Sequence, residues 1–91
     1  MSDGYEIVHE HAFDEQLANL AGDLERGDEF VSGAEWVLHR DPRQGHRITH
    51  HVWSLMCGAA GVKDAYLLYT FTDNPKRVYL LSIMATHRQD D

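Results

Sequence analysis

Ninety-one residues with 43% apolar content and a formal net charge of −7 make one folded domain, too short for two cores and too apolar for disorder. That negative balance argues against generic binding to phosphate backbones or anionic membranes. The lone cysteine, Cys57, has no partner for an internal disulfide, and no apolar run approaches the ~20 residues that span a bilayer.

The charge is unevenly placed. Residues 1–41 hold eleven acids against two bases, Arg26 and Arg40, whereas residues 42–91 hold four acids against six bases. A site for an anionic partner therefore belongs on the C-terminal half, because the N-terminal half repels it. Met1-Ser2-Asp3-Gly4 shows no basic region ahead of an apolar stretch, so a cytoplasmic protein is expected.

Tyr5-Glu6-Ile7-Val8-His9 favours a short strand. Asp14 is a candidate helix cap, and Leu17, Leu20, Ala21 and Leu24 then recur at spacings of three and four, the stripe of an amphipathic helix with Phe13 as anchor. Gly22 weakens that helix and Gly27 is its natural stop. A second helix runs from about Asp28 to His39, with Phe30, Ala34, Val37 and Leu38 on one face, and Asp41-Pro42 ends it.

Three strands are expected next: Thr49 to Cys57, Ala65 to Thr72 and Arg77 to Ala85. Gly58-Ala59-Ala60-Gly61 and Asp73-Asn74-Pro75-Lys76 supply short connections suited to an antiparallel meander. In the last strand Val78, Leu80, Ser82 and Met84 oppose Tyr79, Leu81, Ile83 and Ala85. Both sets are largely apolar, which suggests a central strand with one face under helices and the other covered or used for binding. The expected whole is an α+β fold: an N-terminal strand, a helical hairpin, then a three-stranded antiparallel meander, as one domain over residues 1–91 with a frayed tail at 88–91.

Seven histidines raise the question of a metal. No Cys/His repeat spacing and no His-Glu-x-x-His element occurs, and adjacent His50 and His51 would point to opposite faces of a strand, so neither a metal nor a cofactor is expected. RNA backbone cleavage needs a base for the 2′-hydroxyl proton, an acid for the leaving oxygen and a cation at the phosphate. His87 titrates near neutrality, Arg88 or Arg77 can steady developing charge, and Tyr66, Tyr69 or Tyr79 can stack on a base. Arg43, Arg47, His46 and His50 form a second patch around Gly45, with Trp53 nearby. Each position also has an ordinary structural reading: core tyrosines, a solvated turn arginine, a surface histidine, a buried tryptophan.

The order of these elements resembles the RelE/ParE family of bacterial toxin–antitoxin toxins. Asp41-Pro42-Arg43-Gln44-Gly45 is similar to the family's junction between second helix and sheet. Ala65-Tyr66-Leu67-Leu68-Tyr69-Thr70-Phe71 and Val78-Tyr79-Leu80-Leu81-Ser82-Ile83 look like its central and following strands. The resemblance implies a toxin or a diverged relative whose partner is a cognate antitoxin. It implies either metal-independent endoribonuclease action on messenger RNA, often at the ribosome, or non-catalytic protein binding, including gyrase-type inhibition or a repurposed role. On that basis His87, Arg88 and Tyr66 are the catalytic candidates, and Arg43, Arg47, His50, Trp53 and Arg77 the substrate-binding ones. The family commonly carries arginine where this chain has Tyr66 and a basic residue around Thr86, which His87 and Arg88 follow. Self-association into a homodimer is left open.

Overall fold

The computed structural model describes residues 4–21, 24–58 and 64–85. In chain order these form strand β1 (Glu6–His9), helices α1 (His11–Ala21) and α2 (Leu24–Arg40), and a 3-10 turn at Pro42–Gln44. Strands β2 (His46–Arg47), β3 (Trp53–Gly58), β4 (Asp64–Asp73) and β5 (Lys76–Ala85) follow. The fold is α+β, and its five strands make one mixed sheet in the order β1-β5-β4-β3-β2.

The expected meander is the centre of this sheet, with β3, β4 and β5 antiparallel in sequence. The sheet is wider than three strands for two reasons. The N-terminal strand joins it at the β5 edge and runs parallel, with Ile7 beside Val78 and His9 beside Leu80. The expected strand from Thr49 to Cys57 is strand only from Trp53 onward, in β3, while Thr49 to Val52 form the turn of a short hairpin with β2. Thr49 causes the break: its hydroxyl accepts from the amides of His51 and Val52, while the amides of Ile48 and Thr49 both donate to the Val52 carbonyl.

Helix boundaries also move. Asp14 is not the cap, because α1 starts three residues earlier at His11; its carboxylate lies in the first turn, still favourably placed near the positive helix end. Gly27 is not a stop but lies inside α2, which begins at Leu24, and α1 ends at Ala21 just ahead of Gly22. Side chains of residues 20–30 fall outside the described set, and so do residues 59–63, the tail 88–91, and both His87 and Arg88.

Both helices cover one face of the sheet. Phe13 and Leu17 of α1 and Val31, Ala34 and Leu38 of α2 are buried against Ala65, Leu67 and Tyr69 of β4 and Val78, Leu80 and Ile83 of β5. Tyr5 closes this core at one end, and Trp53, Leu55 and Phe71 pack at its margin. Inward residues on β4 follow strict alternation. Those on β5 do not, because Val78 and Leu80 are buried and so is Ile83, while Met84 is half exposed. A β-bulge explains the switch: Leu68 is opposite Ser82 and Tyr69 is opposite Leu80, leaving Leu81 without a partner in the β4 register. The extra residue changes parity, so the expected faces hold up to Leu80 and exchange beyond it.

β1 flanks β5 only as far as Leu80, which leaves an open edge beyond the bulge. There Gln16 of α1 reaches across, and its side-chain oxygen accepts from the Ile83 amide at 3.0 Å. One backbone donor on that edge is thereby satisfied by a helix.

The helix-to-sheet junction is held by close packing. Asp41 caps the 3-10 turn, accepting from the Arg43 amide at 3.0 Å, and Pro42 is fully buried. The buried Tyr69 hydroxyl donates to the Pro42 carbonyl at 2.5 Å. Gly45 passes so near that a Cβ there would stand 2.1 Å from the Tyr69 hydroxyl and 2.6 Å from the Ser54 carbonyl. Only glycine fits that approach. Its backbone is otherwise ordinary, at φ −77°.

Candidate functional site

The sheet face turned away from the helices presents a row of large side chains. Cross-strand pairing sets Met56 of β3 beside Tyr66 of β4, and Tyr66 beside Met84 of β5. All three are exposed, at 57%, 37% and 52% respectively. They stand in adjacent strands at one level, so their side chains form a continuous band across the sheet. The next level carries Ser54, Leu68 and Ser82 in the same pairing. Farther along lie Thr70, Tyr79 and Val8, then Thr72, Arg77 and Glu6.

This face carries little free positive charge among the described residues. Arg77, at the end far from Met56, Tyr66 and Met84, donates its Nε to Glu6 at 3.0 Å. Contacts with Tyr79 and Glu6 hold its guanidinium still more firmly protonated. From Tyr66 to Thr72, the strand partner of Arg77, is six residues, about 20 Å at strand rise. Tyr66 and Arg77 are therefore too far apart to share one phosphodiester, whereas Tyr79 lies against Arg77.

The remaining expected binding residues are placed elsewhere. Arg43 makes a two-pronged ion pair with Asp73, its Nη2 at 2.9 and 2.7 Å from the two carboxylate oxygens. The Tyr5 hydroxyl donates to the same carboxylate at 2.6 Å and accepts from Arg43 Nη1 at 3.3 Å. The Tyr5 hydroxyl and the Arg43 guanidinium hold the Asp73 carboxyl below its ordinary range. Arg43 also lies over the Phe71 ring at 4.9 Å, and through these contacts it ties the β4–β5 turn to the helix junction. Trp53 packs against the core and against Phe71, with ring centroids 5.5 Å apart.

Of the expected patch around Gly45, Arg47 and His50 lie in contact. Arg47 Nη2 lies 3.0 Å from His50 Nδ1, and Arg47 Nε donates to the Thr49 carbonyl at 3.2 Å. They sit on the β2 hairpin, apart from the Met56–Tyr66–Met84 band. The eight candidates thus separate: Tyr66 and Arg77 lie on the open face, Arg43 and Trp53 beside the core, Arg47 and His50 on the hairpin, and His87 and Arg88 outside the described residues.

One cluster has no counterpart in the sequence patterns. His9, at the end of β1, places Nδ1 2.9 Å from an Asp14 carboxylate oxygen and Nε2 against Glu35 of α2. Its ring packs edge-on to Phe13 at 5.2 Å. Burial disfavours protonation of His9, but Glu35 and Asp14 outweigh it and raise the ring's pKa above the ordinary 6.5. Three residues from three elements make this cluster, so no local spacing could have signalled it. No group of three or more His, Cys, Asp or Glu among the described residues is arranged to hold a metal ion.

On its exposed side α2 borders a cleft of about 420 Å³, lined by Trp36, Val37, Arg40, Asp41 and Gln44. Arg40 lies over the Trp36 ring at 4.8 Å. No described helix is long and apolar enough to cross a membrane. In comparison with known proteins, no family model matches the chain and no curated protein matches it in sequence.

Proposed function

We propose that this chain is a RelE/ParE-like protein of a toxin–antitoxin system, or a diverged relative, and that it acts by binding a protein partner on its open sheet face. The observation that carries this reading is the Met56–Tyr66–Met84 band, exposed across three adjacent strands. Two methionines around a tyrosine suit protein recognition: thioethers adapt to a partner's shape, and tyrosine is enriched where binding energy concentrates. Engagement of Arg77 by Glu6 and of Arg43 by Asp73 lowers the positive field that a phosphate backbone would seek. The cognate antitoxin is the first partner to consider, and a second copy of the chain is the next.

Calorimetric titration against the product of the gene beside its own tests this. Wild type should bind it, and Tyr66→Asp and Met84→Asp should each weaken binding at least tenfold with little change in thermal midpoint. Unaltered affinity in both variants would remove the band from the interface.

One observation favours the RNA-cleaving alternative. Tyr66, the candidate stacking residue, is exposed on the open face. Cleavage of messenger RNA by wild type, abolished in His87→Ala, would replace the binding reading with this one.

A further inference from the structure

The His9 cluster carries an inference independent of any partner. Both ring nitrogens face carboxylate oxygens, Nδ1 towards Asp14 of α1 and Nε2 towards Glu35 of α2. A neutral imidazole has a single N–H, so one of its nitrogens would turn a lone pair towards a carboxylate. Only the doubly protonated ring donates in both directions. We propose that His9 is a protonated clasp that fastens both helices to β1 and slackens as pH rises.

The surroundings match that role. Among the described residues, the charged partner of His9 from α1 is Asp14, and from α2 it is Glu35. β5, which pairs with β1, presents Val78 and Leu80 on this side, and neither titrates. Glu10, next in sequence, is exposed, and His11 is occupied by Glu15 at 3.3 Å in solvent. The His9 side chain and that of Glu35 are each about one-quarter exposed, at 25% and 26%, so their attraction is less screened than that of a surface pair.

The sign follows from the two carboxylates. They raise the pKa of His9 in the folded chain above the unfolded 6.5, so the stabilisation is complete below 6.5 and is lost as pH rises through the folded value. Loosening would be felt first where the first turn of α1 and the middle of α2 meet the end of β1.

A ring-proton NMR titration of His9, paired with thermal unfolding from about pH 6 to about pH 9, tests the clasp. Wild-type His9 should titrate with a midpoint above 6.5, and Glu35→Gln should move that midpoint down. Across the same range the wild-type thermal midpoint should fall on the order of 5 °C further than that of His9→Gln. A wild-type midpoint at or below 6.5, or equal pH slopes in the two proteins, would overturn the proposal. The wild-type titration is decisive by itself if His9→Gln does not fold.

Discussion

The junction after α2 shows how much a few atoms decide. Pro42, Gly45 and Tyr69 form a buried contact in which the Tyr69 hydroxyl serves the Pro42 carbonyl and excludes any side chain at Gly45. Gly45→Ala should therefore cost about 1–3 kcal/mol through forced displacement, and Tyr69→Phe a similar ~1–3 kcal/mol through an unsatisfied carbonyl. Urea melts of both variants check this, and a loss in neither would show that the contact is dispensable. Burial also pushes the Tyr69 phenol up to about 12 from its ordinary 10.0. Above pH 10 the unfolded phenol ionises while the folded one keeps its proton, so stability should fall as pH climbs from 10 towards 12 and fall less in Tyr69→Phe. The end of α2 was legible because Pro42 disfavours helical dihedrals at Asp41, while the reading of Asp41 to Gly45 as a junction came from the family resemblance. The pairing of Arg43 with Asp73 was not legible, since nothing local links residues thirty positions apart.

At the scale of elements, periodicity located both helices and the three long strands, and it failed where a single residue altered the geometry. Thr49 shortens the expected first long strand from its start, since a hydroxyl that binds two following amides stabilises a turn that the β-favouring residues around it conceal. Gly27 was read as a stop on propensity, but it is carried within α2, where the flanking Val31, Ala34 and Leu38 bury a stripe large enough to offset it. The bulge at Leu81 is the subtlest case. It reverses the inside and outside of β5, yet an apolar run of Leu80, Leu81, Ser82, Ile83 and Met84 contains no sign of it. Because Leu81 has no partner in the β4 register, deleting it should leave Ile83 inside and Met84 outside, with a folded protein and a modest drop in thermal midpoint. Deleting Val78, which is fully buried and paired with Phe71 of β4, should abolish cooperative unfolding. Circular dichroism melts of the two deletions distinguish these outcomes, and equal damage from both would mean that Leu81 is needed in its place.

For the whole molecule, the two faces of the sheet have different occupations. One is filled by α1 and α2, and the other shows an apolar band with its nearest described arginine already paired. The composition of β5 foretold this, because a strand apolar on both faces inside a chain with only two helices leaves one apolar face to be covered by something else or used. What sequence could not show was the separation of the expected RNA-binding residues, which follows from the parallel placement of β1, the β2 hairpin and the inward turn of Trp53. The most direct test labels the methionine methyl groups, of which the chain has three, and records their NMR signals as the neighbouring gene's product is added. The account predicts that the Met56 and Met84 methyls shift or broaden in proportion to complex formed. A saturated complex in which both signals stay where they were would contradict it.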